Sequence, residues 1–173
     1  MKIISGKYRN RNLKSLAYKG VRPTSAAVRK SLFQILEPFE NKDILDLFAG
    51  IGSLGIESIS RGASSVTFVE KNRKVANVLL NNLDEICKND NYEVINRDVY
   101  NYIKICDKKY DIIFADPPYE TVDFNDIKLK VIKLLNNKGI FCMERRFKKG
   151  TYEDVRIKDY GKTQFLIWQK TAK

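Results

Sequence analysis

The sequence predicts a doubly wound α/β domain: a seven-stranded, mostly parallel sheet closed by an antiparallel C-terminal hairpin. Three observations carry the prediction. Five short apolar runs alternate with amphipathic helical stripes along the chain. The first run leads directly into Gly50-Ile51-Gly52-Ser53-Leu54-Gly55 and then a helical pattern, which reads as strand, tight loop and helix. The last segment carries two strand-like runs, 152–159 and 163–169, around Tyr160-Gly161.

Taken in order, residues 2–16 read as a basic hairpin or arm, with a turn near Ser5-Gly6. Arg22-Pro23-Thr24-Ser25 starts a helix with Thr24 or Ser25 as cap. Val28, Leu32, Ile35, Leu36 and Phe39 follow at helical spacing until Pro38 interrupts the pattern. Ile44 to Phe48 is the first strand, and Leu54, Ile56 and Ile59 line one side of the helix after the glycines, closed by Arg61-Gly62-Ala63. The second strand is 66–70. The next helix carries Val75, Val78, Leu79, Leu83 and Ile86 on one stripe, and the third strand is 92–96. A short helix over 99–106 precedes a buried strand, Tyr110 to Ala115, which runs into Asp116-Pro117-Pro118-Tyr119. A helix over 123–136 and a strand from Gly139 to Glu144 complete the alternation. The chain divides into an arm, 1–24, and a core, 25–173, within one domain.

The composition excludes several chemistries. No histidine is present, so histidine acid–base and triad mechanisms are closed. Cys87, Cys106 and Cys142 have neither a zinc spacing nor an even count, so they read as structural thiols and no metal is expected. The absence of a long apolar run or an apolar leader argues for a cytoplasmic protein with no membrane partner. The formal net charge is +11. Residues 1–30 hold nine Lys and Arg and no acid, with Tyr8 and Tyr18 interleaved, which points to a polyanion partner.

In a parallel sheet, ligands bind beyond the carboxyl ends of the strands near the point where strand order reverses. Four strand ends carry candidate groups. Asp46 precedes the glycines, where it can pair with a ligand ammonium and would repel a pyrophosphate. This favours S-adenosylmethionine over a dinucleotide. Glu70, twenty residues after Gly50, can accept from the two hydroxyls of a ribose. Asp98 can accept from an adenine amine or cap the helix that follows it. Asp116-Pro117-Pro118-Tyr119 is a rigid loop that presents acceptors and lacks two N–H donors, with Tyr119 as a stacking surface. Such a loop suits an exocyclic amine on a planar base. A parallel core closed by an antiparallel strand is the arrangement of the class I, Rossmann-like S-adenosylmethionine-dependent methyltransferases.

FAGIGSLGIESISRGA, Glu70, DPPY and RPTSAAVRKSLFQIL together resemble the bacterial small-subunit ribosomal RNA guanine-N2 methyltransferases of RsmD type. The likeness runs from the IISGKYRNRNL arm to YGKTQFLIWQ, essentially the whole chain. The resemblance implies a cofactor set of Asp46, Gly50, Gly52, Glu70 and Asp98, flanked by Phe48, Ala49, Lys71 and Val99. It implies that Asp116, Pro117, Pro118 and Tyr119 hold a guanine. It also implies that the basic segment grips 16S rRNA, in the small subunit or a late assembly intermediate, through Lys7, Tyr8, Arg9, Arg11, Arg22, Arg29 and Lys30. The chain departs from the family pattern at Ala26 and Lys30, and at Ser5 and Asn10, where glycine is usual.

The expected activity is therefore methyl transfer from S-adenosylmethionine to the exocyclic amine of one guanine, by a monomer, with direct in-line displacement. The rivals are an adenine amino-methyltransferase, which shares DPPY, an NAD-dependent oxidoreductase, opposed by Asp46 and the terminal hairpin, and a non-catalytic RNA-binding assembly factor.

Overall fold

The computed structural model describes residues 1–15, 24–118 and 122–172. Seven strands form one sheet in the order β3-β2-β1-β4-β5-β7-β6. They are β1 (Asp43–Leu47), β2 (Ser65–Val69), β3 (Tyr92–Ile95), β4 (Tyr110–Ala115), β5 (Leu135–Arg146), β6 (Val155–Tyr160) and β7 (Thr163–Gln169). Strands β1 to β5 pair in parallel, and β7 lies antiparallel between β5 and β6. The order reverses between β1 and β4, where Leu47 pairs with Ala115. A crevice is expected beyond that point.

Helices cover both faces. α1 (Ala26–Leu36), α2 (Ser53–Ser60) and α3 (Arg73–Ile86) pack on one face, where Leu32, Phe33, Ile56 and Leu79 meet Ile44, Phe68 and Phe114. α4 (Val99–Ile105) and α5 (Phe124–Val131) cover the other, where Ile103, Phe124 and Ile127 meet Leu45, Ile113 and Phe141. Side chains alternate across a strand, so β1 and β4 supply both cores. None of the described helices is long and apolar enough to cross a membrane.

Two boundaries differ from the sequence reading. The helix expected over 123–136 ends at Val131, continues as a 3₁₀ turn over Ile132–Leu134, and gives way to β5 at Leu135. Asn136-Asn137-Lys138-Gly139 is turn chemistry rather than helix. Lys138 has φ +61°, and the β4–β5 register slips between Tyr110 and Ile112 to take up the extra residues. β6 also starts later than expected, at Val155.

The arm is docked rather than free. Lys2 bridges Asn12, and Ile3 and Leu13 are buried in the core beside α1. Buried Glu57 on α2 accepts from Ile4 N at 2.7 Å, Ser5 N at 3.0 Å and Arg61 Nε at 2.9 Å. Asn10 sits at φ +69°, a conformation asparagine tolerates better than most residues, so its replacement of a glycine keeps the turn. Ser25 caps α1 by accepting from Val28 N. Thr24 takes up a different partner.

Candidate active site at the carboxyl edge of the sheet

The loop after β1 is built by three glycines with different tasks. Gly50 has φ +56°, and a side chain there would meet nothing closer than 4.0 Å, so its backbone faces open space. Gly52 begins α2 at φ +88° and offers no capping side chain. A Cβ on Gly55 would lie 2.1 Å from the Phe68 ring, so this glycine lets α2 lie close on β2. The third glycine thus serves packing, while the first leaves room beside the loop. Phe48 also has positive φ, +58°, and Ala49 N donates to Val69 O at 3.0 Å, holding the loop against the end of β2.

Of the three expected cofactor acids, Glu70 and Asp46 bond this glycine segment, and Asp98 stands after β3 on the same edge. Glu70 Oε2 accepts from Gly50 N at 2.9 Å and Oε1 from Asn72 N at 2.7 Å. Each oxygen keeps a lone pair, enough for one hydroxyl each. Asp98 caps α4, its Oδ1 accepting from Tyr100 N and Asn101 N, while Oδ2 stands 3.5 Å from Lys71 Nζ. Of the two sequence readings of Asp98, the structure shows the cap, and Oδ2 takes no part in it. Lys71 is largely exposed and Val99 is buried beneath the edge.

Asp46 is 2% exposed. Its Oδ2 accepts from Gly55 N at 2.9 Å. Burial pushes its carboxyl up to about 8, the Gly55 N–H pulls the other way, and the charge of Glu70 adds to the rise. Asp116, half-buried after β4, is also held well above the ordinary carboxylate range, by burial first and then by the neighbouring Glu144 and Asp46. Pro117 is buried and Pro118 exposed. Tyr119 and Arg22 lie outside the described residues.

Glu144 was missed by the sequence reading. It is 3% exposed; Oε1 accepts from Thr24 Oγ1 at 2.5 Å, and Oε2 has no hydrogen-bond partner among the described residues. Ala115 pairs with Met143, so Asp116, just past the end of β4, stands next to Glu144 on β5, whose charge acts on it. Asp46, Asp116 and Glu144 therefore form a carboxyl cluster under the loop. Such a cluster attracts cations and amine donors and repels phosphate. With the open backbone at Gly50, that donor set fits a phosphate-free, cationic cofactor.

The expected RNA contacts fare differently. α2 ends at Ser60, and Asp90 precedes β3, so both lie at the amino edge, opposite the site. Lys7 N donates to Ser60 O at 2.8 Å and Tyr8 OH to Asp90 Oδ2 at 2.7 Å. Lys7 also pairs with Asp90, and Arg11 donates to Glu85 O in the last turn of α3. Lys7, Tyr8, Arg9 and Arg11 therefore sit across the sheet from Asp116, roughly 16 Å away for a five-residue strand. Arg29 corrects the expectation outright: it is 2% exposed, and its Nη2 donates to Lys2 O at 3.0 Å, tying the arm to α1. Helical periodicity turns that position inward. Lys30 and Ala26 are exposed on α1.

Comparison with known proteins shows the family and the fold. Residues 1–169 match the family described as Conserved hypothetical protein 95. The chain is 36% identical over 149 residues to ribosomal RNA small subunit methyltransferase D of Buchnera aphidicola, covering 84% of this chain and 76% of that protein. It is 41% identical over 123 residues to the protein of the same name in Haemophilus influenzae, covering 69% of this chain and 64%, just under two thirds, of that relative. Among solved structures, the Escherichia coli protein yhhF, described as a methyltransferase, superposes with a TM-score of 0.88 at 28% identity, covering 100% of this chain and 99% of that one.

Proposed function

We infer, because the chain belongs to the ribosomal RNA small subunit methyltransferase D family, that it methylates the exocyclic N2 amine of one guanine in 16S rRNA, with S-adenosylmethionine as donor. The observation that carries this reading is the pairing of two loops at the switch point: the Gly50 turn after β1, with room beside it, and the Asp116 carboxyl and Pro117 carbonyl after β4. The first suits the cofactor and the second suits an amine.

S-adenosylmethionine would supply an activated methyl on a sulfonium, a leaving group that needs no acid, in keeping with a chain that has no histidine. Glu70 would hold the ribose hydroxyls and Asp98 the adenine amine. Asp46 would face the ammonium, and Asp116 with the Pro117 carbonyl would orient the target amine. Rate would then come from positioning and from acceptors aimed at developing positive charge. The base must leave its stack to reach the loop, at a cost of a few kcal/mol. The relatives' names, ribosomal RNA small subunit methyltransferase D, support small-subunit rRNA as the substrate, and its presentation in the small subunit or a late assembly intermediate is part of the proposal.

The test uses methyl-labelled S-adenosylmethionine and small-subunit rRNA, followed by mass mapping of the modified nucleotide. Wild type places one methyl on a guanine N2, and Asp116→Ala abolishes transfer while cofactor affinity stays near normal. A methyl on adenine would redirect the assignment. Binding of NAD in place of S-adenosylmethionine would overturn it.

A further inference from the structure

β5 continues the series of strand ends that forms the site, and its C-terminal end runs into a strongly basic segment. Residues 145–149 read Arg145-Arg146-Phe147-Lys148-Lys149, with no acid among them. Parallel pairing of β4 with β5 puts this segment on the carboxyl edge, the same edge as Asp116. Phe147 stands three residues beyond Glu144, about 10 Å along the strand direction.

The segment is held in place by its own backbone and by one arginine. Arg145 Nε donates to Gln164 Oε1 at 2.7 Å and Nη1 to Tyr152 OH at 2.5 Å, with the guanidinium 5.0 Å from the Tyr152 ring centroid. Arg145 is thus turned inward. Phe147 N donates to Lys162 O at 2.9 Å, which clamps the loop to the β6–β7 turn and brings a further exposed lysine alongside. The Lys148 carbonyl accepts from both Arg145 and Gln164. Outward lie Arg146, Phe147 (51% exposed), Lys148 and Lys149. Phe147 is the one phenylalanine among the exposed large hydrophobics of the described residues. Between cations, the covering that fits is a nucleic-acid base with its phosphates.

We propose that the Phe147-Lys148-Lys149 rim, joined by Lys162, is the principal RNA contact beside the reacting base: Phe147 stacks on a flanking nucleotide and the lysines bind its phosphates. The proposal rests on the RNA-methyltransferase reading of the site and assigns that enzyme's grip to the end of β5 rather than to residues 1–15. Residues 1–15 of the arm lie at the opposite edge, with Lys7 and Lys14 already paired to Asp90 and Glu85. The rim lies where the substrate strand must pass.

The experiment measures anisotropy of a labelled small-subunit rRNA fragment over a salt series. It compares wild type with Lys148→Ala/Lys149→Ala, with Phe147→Ala and with Arg9→Ala/Arg11→Ala. The lysine pair variant should lower the log–log salt slope by about 1.5, the value for two lost phosphate contacts. Phe147→Ala should weaken binding about tenfold at unchanged slope. The arm variant should move the slope less than the lysine pair does. A wild-type slope for Lys148→Ala/Lys149→Ala, or a larger change in the arm variant, overturns the proposal. S-adenosylmethionine affinity, measured in parallel, checks that each variant is folded. RNA that binds through the rim but is never methylated would sink the catalytic reading alone. RNA that is methylated with the lysine-pair slope unmoved would sink this one alone.

Discussion

Asp46 Oδ2 accepts the backbone N–H of Gly55 at 2.9 Å, so an acid on β1 caps a helix whose own capping residue, Gly52, has no side chain to do so. The loop between them can therefore stay all backbone where it faces the ligand, while the helix end remains satisfied.

That arrangement has a pH signature. The Asp46 carboxyl is raised to about 8 by burial, against about 4 in an unfolded chain. The folded state thus holds a proton that the unfolded chain has released. Stability from this group is complete below about pH 4 and is lost as pH rises towards 8. Asp116 and Glu144 are shifted in the same direction. Urea unfolding across this window should show stability falling with pH, with a shallower fall in Asp46→Asn. A bound ammonium would favour ionised Asp46, so S-adenosylmethionine should bind more tightly as pH rises to about 8. Calorimetry should find that dependence reduced in Asp46→Asn; an unchanged profile would remove Asp46 from the cofactor site.

Glu144 acts on Asp116 through charge. The glutamine of Glu144→Gln keeps an acceptor for Thr24 Oγ1 and removes the like charge beside Asp116, leaving Asp46 and buried Cys142 as its titratable neighbours. The acidic limb of the methyl-transfer profile should move down by about one pH unit. Glu144→Ala also loses the Thr24 bond and should weaken folding as well. A pH–rate series on the glutamine variant decides the point: an unmoved limb means that Asp116 does not feel Glu144.

Glu57 secures the arm. Replacing it with alanine leaves the N–H groups of Ile4 and Ser5 and the Arg61 guanidinium without their acceptor, a loss of about 3–5 kcal/mol. Glu57→Gln keeps part of the acceptor capacity and should cost about 1–3 kcal/mol. Urea midpoints give both numbers. Cofactor affinity should change little, because Glu57 binds the arm and Gly50 lies beyond the other end of α2.

Much of the fold was legible because its signals are local. Apolar runs marked the strands and 3.6-residue stripes marked the helices. The strand ends of β1 to β4 already carried Asp46, Glu70, Asp98 and Asp116. The α5–β5 boundary was not legible, because Leu135 continues a helical stripe and only its pairing with Tyr110 makes it strand. Glu144 was hidden for the same reason: in Phe-Cys-Met-Glu-Arg-Arg nothing distinguishes it from a surface acid until β5 is laid beside β4.

The charge distribution shows most sharply where the limit falls. Which residues could bind a cofactor or an amine follows from their chemistry and their position just after a strand, both written along the chain. Which cations face the substrate depends on where each segment docks, and that depends on contacts between residues far apart in sequence. Glu57 and Ser60 draw the basic arm to the amino edge, α1 turns Arg29 into the core, and parallel pairing carries Phe147, Lys148 and Lys149 to the edge that holds Asp116. A count of charges along the chain cannot distinguish these fates, because burial and pairing are properties of the packed molecule.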